Sequence, residues 1–388
     1  MVRTGDAATL FDRIDAIAPI LEADIVLGDE LRRLPDSTVA AIRHAGLLRL
    51  KVPAELGGDE AEPDLQFDVF ARVASINMAA AWCLFIWADS VGDACARLCD
   101  EGVARLLAGG DVPVMCGGGG LRPGSLRRVP GGYRLTGNFR YGSGIDAAEW
   151  ALLLGVVASD AGDDQRPEMR SCVVARADIE LLDNWHVLGM RGTGSTDYVV
   201  HDAFVPEEMT YRTGTAPARG GRMYRTGLVG YLGYPVPAVA LGQARRALDE
   251  LTAAAATTTR GYGRPQVLAT RATFQSFLGE ADQRLKAARA LMIANGAGLM
   301  EAVDRDPSGL RALEAEVRAA GAYAVRTAAD VLADTVRYAG GAAIRQGSIY
   351  ERAVRDLTVA ASHLLVNESA YENHAQFMLG IPGADAMA

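Results

Sequence analysis

The sequence predicts a mainly α-helical chain with a small β-domain in its middle. A helical domain is expected over 1–110, a β-domain (small barrel or sandwich) over 111–218 and a four-helix bundle over 219–388. Three observations predict this. Apolar residues recur at three and four positions up to about Leu107; glycine, proline and short β-type runs crowd the stretch from Gly109 to Thr215; helical periodicity then returns from Leu228 to Leu379. At 388 residues the chain is too long for one ordinary core. Its 49% hydrophobic and 22% charged residues mark a globular composition rather than disorder.

The elements follow in order. Leu10, Ile14, Ile17 and Leu21 give the first helix one buried face. Asp36-Ser37 predicts a cap for a helix that runs to His44 and is closed by Gly46, with a loop over 53–62. Helices are expected over 64–76 and 79–98; the second is apolar nearly all round, so it should be buried. Gly131-Gly132 signals a hairpin between 126–129 and 133–135. Further strands are expected over 151–157, 171–176, 198–200 and 203–205. Helices over 238–254, 271–302, 310–338 and 350–378 have the length and period of a bundle, with Gly340-Gly341 separating the last two.

Charge and composition exclude several classes. The formal net charge of -9 repels phosphate backbones, which argues against a nucleic-acid partner. Lys51 and Lys286 are the only lysines; the other basic residues are arginine. The five cysteines are scattered and make no zinc site, so reduced thiols in a cytoplasmic protein and no metal are expected. Residues 1–8 show no signal peptide, and no apolar run reaches the ~20 residues needed to span a bilayer.

Three segments carry candidate chemistry. In Trp185 and Gly189-Met190-Arg191-Gly192-Thr193-Gly194-Ser195, glycines would bring backbone against a planar ligand while N–H groups and hydroxyls meet its polar edge. A tight β-turn accounts for the same residues about equally well. In Tyr141-Gly142-Ser143-Gly144, Ser143 sits between small residues where a ligand could approach, although a strand end turning at the glycines explains it more simply. Arg352, Arg355 and Asp356 share one helix face, an arrangement suited to an ion pair. His363, seven residues after Asp356, is expected on that same face, either as a core imidazole or as a general base or hydrogen-bond donor to bound oxygen.

Together these segments resemble the acyl-CoA dehydrogenase superfamily over nearly the whole chain. The resemblance implies the same three-part architecture, with a flavin between the β-domain and the bundle. Residues 185–206, ending in Phe204-Val205-Pro206, resemble its flavin-binding β-region and place Trp185, Arg191, Gly192, Thr193 and Ser195 at the cofactor. Arg260 with Tyr262-Gly263-Arg264-Pro265 resembles a segment whose arginine holds the pyrophosphate of a neighbouring subunit's cofactor. Arg352 joins the implied cofactor set, and a homotetramer is implied.

The dehydrogenases of that superfamily remove a proton with a glutamate. The matching stretch here, 357–365, holds no carboxylate and has His363 instead; Glu250 is the candidate for the family's other placement. Ser143, His363 and the 189–195 run resemble the two-component flavin monooxygenases, which include phenol and steroid-ring hydroxylases. That branch implies reduced FAD or FMN from a separate flavin reductase, oxygen addition at the flavin C4a, and transfer to a small metabolite. Ser143 and His363 would steady and protonate the peroxide, and Trp82, Phe85, Trp87, Asp89 and Ser90 would form the substrate pocket. The histidine that phenol-hydroxylating relatives carry near Ser90 is missing, which points to an amine, an indole or a sulfur ring. Asp89 would then pair with an amine, as in an amino-sugar N-oxygenase, or be merely a capping or solvated carboxylate. An acyl-CoA dehydrogenase or oxidase and a non-catalytic flavin-binding relative are the alternatives.

Overall fold

A computed structural model describes residues 5–118, 122–158, 167–261 and 263–387. Tyr262 and the start of the 1–8 stretch lie outside the described residues. The helices are α1 (Gly5–Ala23), α2 (Ile25–Leu31), α3 (Asp36–His44), α4 (Pro63–Ile76), α5 (Met78–Arg97), α6 (Asp100–Leu106), α7 (Leu228–Leu232), α8 (Pro235–Ala255), α9 (Ala272–Arg305), α10 (Leu310–Ala339), α11 (Ile349–Ala360) and α12 (Ser369–Met378). The strands are β1 (Met115–Gly118), β2 (Gly124–Val129), β3 (Gly132–Gly142), β4 (Trp150–Val157), β5 (Met169–Ala175), β6 (Ile179–Leu181), β7 (Thr196–Pro206) and β8 (Thr210–Arg212), followed by a short two-stranded ribbon. By contacts the chain groups into two units. One comprises Met1–Ala61, Trp82–Val187 and Arg191–Arg225; the other comprises Glu62–Ala81, Leu188–Met190 and Thr226–Ala388.

In the first unit, Leu10, Ile14 and Leu21 of α1 are fully buried, as their spacing requires. The expected cap of α3 is corrected: Pro35 holds the N-cap position, and the hydroxyls of Ser37 and Thr38 donate to Asp24. Proline is already set for a helix start, so no side-chain cap is needed to fix the backbone there. The described strands form one mixed sheet in the order β6-β7-β3-β2-β4-β5-β8, with β1 beside β4. β1 and β2 pair parallel to β4, whereas β3 and β7 pair antiparallel. The strands expected over 198–200 and 203–205 are one strand, β7. Its pairing with β3 shifts register near Leu135, and Asp202 takes φ 48° opposite that irregularity.

In the second unit, α4 packs on α8 where Gly242 lies against Ala71; a Cβ at Gly242 would stand 2.3 Å from the Ala71 carbonyl oxygen. The helix expected over 350–378 is corrected. It ends at Ala360, gives a single 3-10 turn over Leu364–Val366, and restarts as α12. Arg318 of α10, only 3% exposed, binds across the restart. Its guanidinium donates to the Leu364 carbonyl at 2.9 Å, to Asn367 Oδ1 at 3.0 Å and to Ser369 Oγ at 2.9 Å. The helix itself ends where the Ser362 and His363 N–H groups turn back three residues, to the Val359 and Ala360 carbonyls. His363 therefore lies beyond α11 rather than on the helical face of Asp356. Among the described residues, no helix is long and apolar enough to cross a membrane.

Candidate active site

In the first unit the end of β3 and the start of β7 meet through their connecting turns. Ser143 and Gly144 follow β3, and Gly144 takes φ 67°. A Cβ there would stand 2.5 Å from the Trp87 indole, so the fully buried Trp87 is seated directly against Gly144. The 3-10 turn Arg191–Thr193 and Gly194, at φ 54°, lead into β7. The Gly144 N–H donates to the Thr193 carbonyl at 2.7 Å and locks the two turns together.

That lock assembles a chain of hydroxyls. Ser143 Oγ lies 2.8 Å from Ser195 Oγ, which lies 2.6 Å from Thr193 Oγ1. The three residues are 4%, 3% and 0% exposed, respectively. Trp82 Nε1 donates to Ser143 Oγ at 3.2 Å. An indole N–H only donates, so one lone pair of Ser143 is always used. When the protons run from Thr193 through Ser195 to Ser143, both lone pairs of Ser143 are filled and its own O–H is left to donate elsewhere.

The residues predicted as pocket walls lie on α5. Trp82 is half-buried and meets the Phe85 ring edge-on at 4.9 Å. Asp89, two turns after Trp82, is not solvated. It is buried and bound by Lys51 at 2.6 Å, and Lys51 is itself fully buried. Burial pushes the Asp89 carboxyl up to about 6 against the pull of Lys51, and pushes the Lys51 ammonium down. Ser90 is buried against Gly117 of β1, where a Cβ would stand 2.5 Å from Ser90 Oγ. Trp185 is half-buried and meets the exposed Tyr141 ring at 6.1 Å. Arg191 donates from Nε to the Val187 carbonyl at 3.1 Å, which tightens its own loop.

In the second unit, α11 holds the Leu188–Met190 segment. Asp356, 4% exposed, accepts the Met190 N–H at 2.6 Å. Arg355 donates to the Leu188 carbonyl at 3.2 Å and pairs with Glu351 at 2.5 Å. Gly189 lies between them, where a Cβ would stand 2.2 Å from the Arg355 carbonyl oxygen. His363 caps the 3-10 turn, its Nδ1 accepting the Leu365 N–H at 3.3 Å. That bond puts the proton of the neutral ring on Nε2. Burial pushes the imidazole down to about 4, so the ring is neutral at pH 7. Arg260 donates to the Ala339 carbonyl at 2.7 Å, and Arg352 to the Gly347 carbonyl at 3.4 Å. Glu250 is exposed on α8, 3.8 Å from Arg246. Among the described residues no cluster suits a metal ion.

The first unit thus brings Ser143, Thr193, Ser195 and Trp82 together, while Asp89 has a partner of its own. Sequence reasoning missed Lys51, Arg318 and the Asp356 clamp. Lys51 carried a signal, being one of two lysines in an arginine-rich chain. Arg318 carried none.

Residues 236–368 match the family described as Acyl-CoA dehydrogenase, C-terminal domain. The chain is 29% identical over 393 residues to a pigment production hydroxylase of Rhodococcus sp. (strain ATCC 21145), covering 97% of this chain and 98% of that protein. It is 33% identical over 195 residues to HsaA, the oxygenase subunit of a flavin-dependent monooxygenase of Rhodococcus jostii (strain RHA1), covering 50% of each. The fold matches XiaF from Streptomyces sp., solved in complex with FADH2 and glycerol, with a TM-score of 0.87 at 24% identity over 97% of this chain and 96% of that one.

Proposed function

As a chain of the acyl-CoA dehydrogenase fold whose homologues are oxygenase components of two-component flavin monooxygenases, this protein is, we propose, the oxygenase of such a pair. It takes reduced FAD or FMN from a separate flavin reductase and hydroxylates a small aromatic or heteroaromatic metabolite. The bound flavin supplies two electrons, with which one oxygen atom of O2 enters the substrate and the other leaves as water. A homotetramer in the cytoplasm completes the reading; the free thiols of all five cysteines suit a reducing compartment.

The residues present fit a flavin. Thr193, Ser195 and Ser143 offer hydroxyls and the half-buried Trp185 offers a flat flank, whereas Gly192 is buried and Gly194 is packed against Asp146 and Arg32. Arg191, Arg260 and Arg352 are the candidates for its phosphates, because guanidinium groups match phosphate oxygens.

The observation that carries the reading is the buried hydroxyl chain ending at Ser143 beneath Trp82. It is an uncharged donor set. Such donors stabilise negative charge growing on oxygen without first losing a proton to it. In the second unit, the neutral His363 ring carries its proton on Nε2. Burial keeps the ring neutral at pH 7, the state in which its Nε2–H can donate a hydrogen bond.

Acyl-CoA dehydrogenation fits less well, since Glu250 is exposed in a surface ion pair and no carboxylate lies in 357–365. An amine substrate fits less well than an aromatic one, since Asp89 is held by Lys51. The test is turnover with reduced FAD and 18O2 on a panel of indole, phenol and aniline derivatives. One labelled atom in a product supports the reading. No labelled product, together with bleaching of bound oxidised flavin by butyryl-CoA, would sink it.

A further inference from the structure

We propose that Arg318 is the positioning residue for His363, and that the segment 381–387 holds Arg318 in place. The proposal rests on His363 being a working donor. Its structural part, however, stands on contacts within one unit.

Arg318 is 3% exposed, and its guanidinium meets only uncharged acceptors: the Leu364 carbonyl, Asn367 Oδ1, Ser369 Oγ and the Ala386 carbonyl at 2.8 Å. Burial pulls its pKa down, and no carboxylate offsets its charge among the described residues. A buried cation in such surroundings is costly, and methionine of similar length would fill the space more favourably. What the arginine adds is geometry. Its planar fork reaches both ends of the 363–369 turn at once. One N–H group takes the carbonyl of Leu364, the residue directly after His363. The same nitrogen reaches Asn367 and Ser369, where α12 begins.

The consequence falls on His363. With the Leu364 carbonyl held by Arg318 just past the end of α11, His363 adopts φ -69°, ψ 139°. In that conformation its Nδ1 reaches the Leu365 N–H, so the ring proton is placed on Nε2. Were the turn helical instead, that side-chain cap would be lost. The second nitrogen of Arg318 is anchored by the Ala386 carbonyl, and Asp385 in turn accepts the Met387 N–H at 2.8 Å and lies 3.8 Å from Arg311. Arg311 and Arg318 lie seven residues apart and so on one face of α10. The 381–387 segment is thereby strapped along the helix that sets the histidine.

The test is 15N NMR of the His363 ring in the flavin-free protein, a readout independent of turnover. In the wild type the ring is a single Nε2–H tautomer that resists protonation down to about pH 4. In Arg318→Met the ring becomes a mixture of tautomers, and its pKa rises towards the free-imidazole value near 6.5. Arg318→Lys, which keeps the charge but not the fork, behaves like the methionine variant. A chain shortened after Gly380, which keeps Arg318 and removes only its anchor, shifts in the same direction and serves if Arg318→Met does not fold. A folded variant of either kind with an unchanged His363 spectrum overturns the proposal. Loss of the histidine's role in turnover is read separately: His363→Ala with unchanged peroxide release defeats the functional reading and leaves the Arg318 result standing.

Discussion

The Asp356 carboxylate accepts the backbone N–H of Met190 at 2.6 Å, and Met190 takes φ 56° to meet it. A left-handed backbone at a non-glycine residue is costly and persists only where its surroundings enforce it. Here the enforcement is a buried charge-assisted bond, with Arg355 holding the preceding Leu188 carbonyl. Asp356→Ala should therefore lower stability by about 1–3 kcal/mol, the usual cost of stranding a buried donor. It should also weaken reduced-flavin binding about tenfold, since about 1.4 kcal/mol of lost order in the loop suffices for that. Urea unfolding and anaerobic flavin titration check the two effects. Gly189→Ala should be worse, because its Cβ has no room beside the Arg355 carbonyl.

Ser143→Ala removes the hydroxyl that receives the Trp82 N–H. The protein should fold, and its stability should fall by about 1 kcal/mol, the net worth of a typical hydrogen bond. The larger effect should be on coupling: more hydrogen peroxide released per O2 consumed once one stabilising donor is lost. Ser195→Ala should uncouple less, because it acts on Ser143 from behind. Equal peroxide yields in wild type and Ser143→Ala would remove Ser143 from the chemistry.

The buried His363 ties stability to pH. Its pKa is about 4 when folded and near 6.5 when unfolded. Between those values the unfolded chain carries a proton that the folded chain refuses. The contribution of this site is therefore fully present above about pH 6.5 and is lost as pH falls towards 4. Urea midpoints measured at pH 7 and pH 5 should show this loss in the wild type, and His363→Gln should show a smaller one.

Lys51 and Asp89 form a buried pair whose members depend on each other. Lys51→Met should cost about 3–5 kcal/mol by stranding a buried carboxylate. Adding Asp89→Leu should recover most of that loss, because two apolar groups replace the pair without unmet charge. Denaturant unfolding of the single and double variants measures this. A double variant no more stable than Lys51→Met would show that Asp89 is held by something other than charge compensation.

Much of the fold was legible because it depends on local pattern. The stripe Leu10, Ile14, Leu21 predicts its own buried face, and Gly46 and Gly340, both at positive φ, mark real helix boundaries. What could not be read depends on distant partners. The turn after Ala360 is held by Arg318, 46 residues away from the Leu364 carbonyl it binds. Asp89 reads as a surface carboxylate until Lys51, 38 residues earlier, is placed beside it. β7 reads as two strands because Asp202 interrupts its alternation, yet pairing to β3 carries it through. For the site, glycines and hydroxyls near 143 and 192–195 were visible, but the order of the hydroxyls along one hydrogen-bonded chain was not.

In the proposed reaction this protein uses flavin in its reduced form, delivered from outside. Anaerobic titration of the purified protein with FAD in both redox states tests it most directly. Reduced FAD should bind at least about tenfold more tightly than oxidised FAD, which is a difference of about 1.4 kcal/mol. Oxidised FAD that binds as tightly as reduced FAD, or that remains with the protein through purification, would contradict it.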